Sequence, residues 1–242
     1  MSLKADEVAQ ACSPGQFVHL RVSQGVDPLL RRPFSIHRVN RKKGEVEILY
    51  RVVGRGTEMM REAESGDVLN LMGPLGKGFR LNGSFSRAIV VAGGMGSAPI
   101  FFLIDELVAL GKHVIFFWGA KKGNEIFDLS SLEKSGVKIK VTTEDGSVGQ
   151  KGIVTDLVEA FIKGQEGEVS TEGFVCGPQG MLKRVQEMVG ETPSNWQVSV
   201  EERMACGVGV CMGCAVKMNE DGYSMVCSDG PVFNLKEIVF DG

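Results

Sequence analysis

Apolar and polar residues alternate through the first third of the chain. Phe17-Val-His-Leu-Arg-Val22, Val46-Glu-Ile-Leu-Tyr-Arg-Val52 and Asp67-Val-Leu-Asn-Leu-Met72 place apolar side chains at every second position between turn formers, the signature of half-buried strands. With one helical stretch, Thr57 to Glu64, and glycine-rich turns, they predict a small antiparallel β-barrel. From Arg87 the pattern changes. Ala88-Ile-Val-Val-Ala92 is a continuous apolar run ending in Gly93-Gly94, followed by a helical stretch from Ala98 to Leu110. Val114-Ile-Phe-Phe-Trp118 repeats the buried-strand pattern, and Val137-Lys-Ile-Lys-Val141 and Gly173-Phe-Val-Cys176 add two more strands. Buried strands alternating with helices predict an α/β domain with a doubly wound parallel sheet. A short strand, Glu237 to Phe240, is expected near the C-terminus. The expected division is a barrel domain over 1–84, an α/β domain over 85–194 and a small module over 195–242.

The length of 242 residues suits two domains and an appendage. A net charge of −3 gives no electrostatic reason to expect nucleic acid or an anionic membrane as partner. No apolar stretch approaches the roughly 20 residues that span a bilayer, and Met1-Ser-Leu-Lys-Ala-Asp-Glu7 lacks the apolar core of a signal peptide. The 32 glycines collect at Gly54/Gly56, Gly73/Gly76/Gly78, Gly93/Gly94/Gly96 and a cysteine-rich loop, as turns that hug a cofactor require.

That loop reads Cys206-Gly-Val-Gly-Val-Cys211-Met-Gly-Cys214, with Cys227 after the hairpin-like Asn219-Glu-Asp-Gly222. The spacing C-x4-C-x2-C…C is that of a plant-type [2Fe–2S] ligand loop. Structural zinc is the competing reading, although it usually takes two C-x2-C pairs and only Cys211/Cys214 makes one. Thiols used this way suit a reducing compartment, and the expected location is cytoplasmic.

Two motifs in the barrel point to a flavin. In Arg32-Pro33-Phe34-Ser35 the arginine offers a planar fork of donors to a pyrophosphate, and the hydroxyl is placed to bond a ring edge. Gly54-Arg55-Gly56-Thr57 opens the expected helix and offers N–H groups to an anion. Read singly, the first is a strand entry and the second a plain helix cap. In the α/β half, Gly93-Gly94-Met95-Gly96-Ser97-Ala98-Pro99 lies between a buried strand and a helix, where backbone approaches a pyrophosphate. Cys176-Gly177-Pro178 ends another strand at the ligand-binding carboxyl edge. Lys121 and Lys122 could face a 2′-phosphate that Glu125 would repel, so these residues do not decide NAD against NADP. Cys12 is read as incidental, and His19, His37 and His113 show no ligand spacing.

Leu30-Arg-Arg-Pro-Phe-Ser-Ile36, Gly93-Gly-Met-Gly96, Cys176-Gly-Pro-Gln-Gly-Met181, Glu201-Glu-Arg-Met-Ala-Cys-Gly207 and Cys227-Ser-Asp-Gly-Pro-Val-Phe233 resemble the electron-transfer subunits of class 1B dihydroorotate dehydrogenases, within the ferredoxin–NADP reductase superfamily. The resemblance spans nearly the whole chain. It implies FAD in contact with Arg32, Pro33, Phe34 and Ser35, with Arg32 at the phosphates and Ser35 near the reactive ring edge. Leu49, Tyr50 and Arg51 would form a second contact strand, and Gly56 and Thr57 would lie at the pyrophosphate; a core position in an alternating strand is the alternative for Tyr50. NAD would lie against Gly93, Gly94, Gly96, Gly177 and Pro178, with Cys176 near the nicotinamide; a buried structural thiol is the alternative for Cys176. Cys206, Cys211, Cys214 and Cys227 would hold the cluster. Members have a longer lead-in before the Pro14-Gly-Gln-Phe17 turn, so the first barrel strand is expected to be missing or replaced here.

The implied function is a relay from the FMN of a partner that oxidises dihydroorotate, through [2Fe–2S] and FAD to NAD+, in pyrimidine synthesis. The implied assembly is a heterotetramer of two plus two subunits. No paired carboxylate or nucleophile–base set appears, so no catalytic residue is assigned. The alternatives are a flavin/iron–sulfur subunit of an NAD(P)H–ferredoxin or sulfide-type oxidoreductase, and a scaffold whose cysteines hold zinc.

Overall fold

The computed structural model describes residues 1–164, 169–190, 194–220 and 222–240. The first sheet is built from β1 (Ser2–Lys4), β2 (Phe17–Arg21), β3 (Arg32–Asn40), β4 (Glu45–Ile48) and β5 (Asn70–Leu75), with α1 (Asp6–Ala11) and α2 (Arg55–Arg61) between strands. It is antiparallel and curled, in the order β1-β4-β3-β2-β5. Its core holds Val18, Leu20, Ile36, Val46 and Ile48. A lead-in strand is present: β1 has three residues, paired with β4 as Ser2↔Glu47 to Lys4↔Glu45.

Three expected boundaries shift. The helix runs Arg55–Arg61 rather than Thr57 to Glu64, and β5 runs Asn70–Leu75 rather than Asp67 to Met72. The strand begun near Val46 ends at Ile48 instead of Val52. Pairing of β4 with β3 ends at Ile36↔Ile48, after an irregularity between Ile36 and Arg38, while the other edge of β3 pairs with β2 from Arg32 to Ser35. Beyond Ile48 the chain has no partner on β3 and splays away, opening a gap between residues 33–35 and 49–51.

The second sheet uses β6 (Arg87–Gly93), β7 (His113–Ala120), β8 (Lys138–Thr143), β9 (Gln150–Lys151), β10 (Thr171–Cys176), β11 (Asn195–Ser199) and β14 (Val232–Asn234), in the order β14-β11-β10-β6-β7-β8-β9. Every pairing is parallel except β11 with β14. The continuous apolar strands follow from helices on both faces. Val90, Ala92, Phe116 and Trp118 face α3 (Ala98–Ala109); Ile89, Val91 and Phe117 face α5 (Val154–Lys163) and α6 (Gln179–Val189). A short helix, α4 (Leu129–Lys134), precedes β8. From β6 the chain goes outward through β7, then returns as β10 on the other side. The carboxyl ends of β6 and β10 thus flank a topological switch point, where such sheets bind ligands.

After β11 comes the cysteine loop and a hairpin, β12 (Ala215–Met218) with β13 (Gly222–Met225); Asp221 of its turn lies outside the described residues. The expected strand from Glu237 to Phe240 is not formed. Val232–Asn234 is the strand, because Phe233 pairs with Val198, and Ile238 makes only an isolated bridge to Met218. Phe233, Leu235, Ile238, Cys214 and Cys227 share one apolar core with α5 and α6. The cysteine module is therefore welded to the nucleotide-type sheet.

The curled sheet is docked onto α3. Phe102, 2% exposed, enters its core, a burial of about 1.5–3 kcal/mol. His37 Nδ1 donates to the Ala98 carbonyl at 2.8 Å, and Arg38 pairs with Asp128 at 3.0 Å.

Candidate functional site

The gap beside β3 is a cleft of about 370 Å3, lined by Pro33, Phe34, Ser35, Leu49, Tyr50, Arg51 and Thr57. Tyr50 is half-buried and meets the edge of Phe34 with ring centroids 5.7 Å apart, so it is both cleft wall and core margin. Arg32 and Gly56 lie just behind this lining. A Cβ on Gly56 would stand 3.0 Å from Arg32 Nε, so the guanidinium rests on the first turn of α2. Arg32 Nη1 donates to the Leu30 carbonyl at 2.6 Å. Thr57 Oγ1 accepts the N–H groups of Val53 (3.0 Å) and Gly54 (3.2 Å), holding that turn. The arrangement fits an anionic dinucleotide: apolar and aromatic walls for a ring system, a fork of donors for phosphates.

The opposite wall was not anticipated. Met95, Ala98, Ser199, Val200, Glu201, Glu202, Met204 and Pro231 complete the cleft. Glu201 is exposed to the open cleft yet hemmed in by protein, and desolvation raises its pKa. These residues come from three distant parts of the chain; most lie in the quoted glycine, Glu201–Gly207 and Cys227–Phe233 motifs, but nothing local placed them on one cleft.

A second cleft, of about 590 Å3, opens at the switch point. Gly93, Gly94 and Pro178 line it, with Gly119, Lys121, Glu125, Glu144, Thr155 and Arg184. Gly96, Cys176 and Gly177 sit beneath it as one tight junction. A Cβ at Gly96 would lie 2.5 Å from the Cys176 carbonyl oxygen and 2.6 Å from Gly177 Cα, so only glycine lets β6 and β10 close here. The Cys176 thiol is buried; burial raises its pKa, and the Ser199 hydroxyl bonds it. Cys176 itself lines neither cleft, while its partner Ser199 lines the first. Lys122 is not part of the lining. Glu144, just past the end of β8, adds a carboxylate that the sequence analysis did not single out. Arg51 and Met95 line both clefts, which therefore meet. Arg51 is held there by Glu125 at 3.0 Å.

The cysteines fall into two pairs, Cys206 hydrogen-bonded with Cys211 and Cys214 with Cys227. The first pair is on the outside and the second is buried. Backbone N–H groups point at the sulfurs: Val208 N–H lies 3.4 Å from Cys206 Sγ, and Gly209 N–H lies 3.0 Å from Cys227 Sγ. Those donors, Val208 first, lower the Cys206 pKa to about 6, whereas burial pushes Cys227 up to about 12. The loop wraps this way because Gly207 and Gly209 adopt φ of +74° and +81°, left-handed values that glycine tolerates best. Among the described residues no three or more His, Cys, Asp or Glu side chains gather as a single-ion site. Two thiol pairs with N–H donors fit a two-iron cluster, in which each iron takes two thiolates.

Comparison with known proteins covers the whole chain. Residues 1–79 match the family described as the oxidoreductase FAD-binding domain, and residues 90–187 the oxidoreductase NAD-binding domain. Residues 201–239 match the iron-sulfur cluster binding domain of dihydroorotate dehydrogenase B. The dihydroorotate dehydrogenase B (NAD(+)) electron transfer subunit of Desulforamulus reducens is 40% identical, over 100% of this chain and 92% of that protein. Its counterpart in Geobacillus thermodenitrificans is 39% identical over 99% and 91%. Among solved structures, an NADH-dependent reduced ferredoxin-NADP oxidoreductase superposes with a TM-score of 0.86 at 24% identity, over 99% of this chain and 84% of that one. The ferredoxin reductase of carbazole 1,9a-dioxygenase gives 0.62 at 20% identity, over 74% and 56%.

Proposed function

The chain belongs to the family of dihydroorotate dehydrogenase B electron transfer subunits, and from that premise we propose that it passes electrons from a dihydroorotate-oxidising partner to NAD+ in pyrimidine synthesis. FAD supplies the exchange between one-electron and hydride chemistry that a [2Fe–2S] cluster and NAD+ need between them. The observation that carries this reading is the meeting of the two clefts at Arg51 and Met95, which brings two bound rings within reach of each other.

Pro33, Phe34, Ser35, Leu49 and Tyr50 hold and shield the flavin ring. Arg32, over Gly56 and beside Thr57, neutralises its phosphates. Gly93, Gly94 and Pro178 let the second dinucleotide approach the sheet edge, and Gly96, Cys176 and Gly177 hold that edge together. Glu144 would meet a 2′-phosphate with like charge, while Arg51 pairs with Glu125 and Lys121 and Arg184 share the lining, so the NAD reading rests on the relatives' names. Cys206, Cys211, Cys214 and Cys227 hold the cluster. The reading assigns 1–84 to the flavin, 85–194 to the nicotinamide and 195–242 to the cluster, with β11 and β14 of the last segment completing the second sheet.

The partner is an FMN-containing catalytic subunit in a two-plus-two heterotetramer. Its docking site is the rim of the cysteine loop, where Val210 and Met212 are 79% and 66% exposed beside exposed Cys211, an apolar surface of the kind partners cover. No helix among the described residues is long and apolar enough to cross a membrane. All six cysteines are free thiols, which agrees with a reducing, cytoplasmic setting.

The test is the absorption spectrum of anaerobically purified protein before and after NADH. Flavin bands with broad iron–sulfur absorbance, both bleached by NADH, are expected. A colourless protein holding zinc would refute the reading.

A further inference from the structure

The imidazole of His19 has no role in anything described so far. It is 0% exposed, and neither ring nitrogen has an aligned hydrogen-bond partner. A buried polar group left this way is destabilising, so its surroundings are incomplete without an acceptor or donor. In so dry a place the ring is neutral imidazole, with one N–H and one lone pair.

Its neighbours identify what completes it. On β2, His19 stands opposite Pro33 and two residues from Phe17, which stands opposite Ser35. Residues opposite each other or two apart share a sheet face, and Phe17, Pro33 and Ser35 all line the flavin cleft. The cysteine loop covers the other side of the ring. A Cβ on Gly207 would stand 2.5 Å from His19 Nδ1, and Gly207 has φ +74°, so only glycine allows the loop to lie so close. The carbonyls of Arg31, leading into β3, and of Cys206, on the cysteine loop, are both near enough to act on the ring as acceptors, though neither is aligned as a hydrogen bond. His19 thus fills the space between the wall of the flavin cleft and the first cysteine of the loop.

We propose that His19 is a positioning residue for the iron–sulfur cluster, its N–H supplied to the Cys206 edge of the loop when the cluster is in place, so that it raises the cluster's potential and braces it against the flavin sheet. The proposal rests on the cluster-and-flavin reading above. Donors aimed at cluster sulfurs and their ligands favour the reduced, more negative state. A leucine at this position fills the space and removes the donor; a glutamine keeps an N–H.

The test is an anaerobic redox titration of the full chain with FAD and cluster bound, for wild type, His19→Leu and His19→Gln. The cluster is read by the paramagnetic signal of its reduced form and the flavin by absorbance. At a fixed poise, His19→Leu is expected to lower the ratio of reduced to oxidised cluster about tenfold, or about 59 mV for a one-electron centre. The flavin midpoint stays in place, and His19→Gln recovers most of the change. Equal cluster potentials in all three proteins would overturn the proposal, and so would cluster and flavin moving together, which signals general loosening. If His19→Leu does not retain its cluster, His19→Met replaces it, and a Met variant that titrates like Gln overturns the proposal. A wild-type protein with no cluster signal would overturn the functional reading as well; a signal with an unmoved potential overturns only the role of His19.

Discussion

Arg32→Ala removes the guanidinium seated over Gly56 in the first turn of α2. Its Nε lies 3.0 Å from the position a Cβ on Gly56 would take, and its Nη1 is anchored to the Leu30 carbonyl at 2.6 Å. The group is therefore aimed before any ligand arrives, and little ordering entropy is lost on binding. Hydrogen bonds to a charged group contribute about 1.5–3 kcal/mol each. Loss of a single such bond to a flavin phosphate weakens FAD binding about ten- to a hundredfold at 1.4 kcal/mol per decade. Titration of apoprotein with FAD, followed by quenching of flavin fluorescence, measures this directly. Arg32→Lys keeps the charge but loses the fork, and its affinity should fall between the two. Raising the salt concentration should weaken wild type more than Arg32→Ala, because only wild type has this charge to screen. An Arg32→Ala protein that binds FAD within about threefold of wild type, with folding intact, would refute the placement of the phosphates over Gly56.

Gly96→Ala drives a Cβ to within 2.5 Å of the Cys176 carbonyl oxygen, and since the obstacle is backbone the β6–β10 junction must open. A loss of about 1–3 kcal/mol in urea unfolding is expected, with slower flavin reduction by NADH. Glu144→Gln removes a carboxylate from the second cleft and should narrow the preference for NADH over NADPH about tenfold, or about 1.4 kcal/mol, as read from flavin bleaching with each nucleotide. Burial lowers the pKa of His37, whose Nδ1 donates to Ala98. The unfolded chain therefore takes up a proton more readily, and this contribution to stability is full above the unfolded pKa of about 6.5 and lost as pH falls toward the folded value. Urea midpoints at pH 7.5 and 5.5 should fall more for wild type than for His37→Asn.

The cysteine spacing, the apolar runs of β6, β7 and β10 and the glycine-rich turns after β6 were all legible in the sequence, because each is a local pattern. A ligand loop needs its thiols at set intervals, and a strand covered on both faces must be apolar throughout. Boundaries that depend on a partner strand were not legible. β4 stops at Ile48 because its pairing with β3 ends at Ile36 past a local irregularity, and the C-terminal strand is Val232–Asn234 because β11 offers it an edge. The meeting of the clefts at Arg51 and Met95, the far wall from Ser199 to Met204, and Gly207 resting on His19 are likewise tertiary facts. Residue types and short spacings specify ligands and turns, so the chemistries the chain carries are written locally. How they are joined is a matter of folding, since electron transfer depends on distance and the contacts that set it link residues from all three segments.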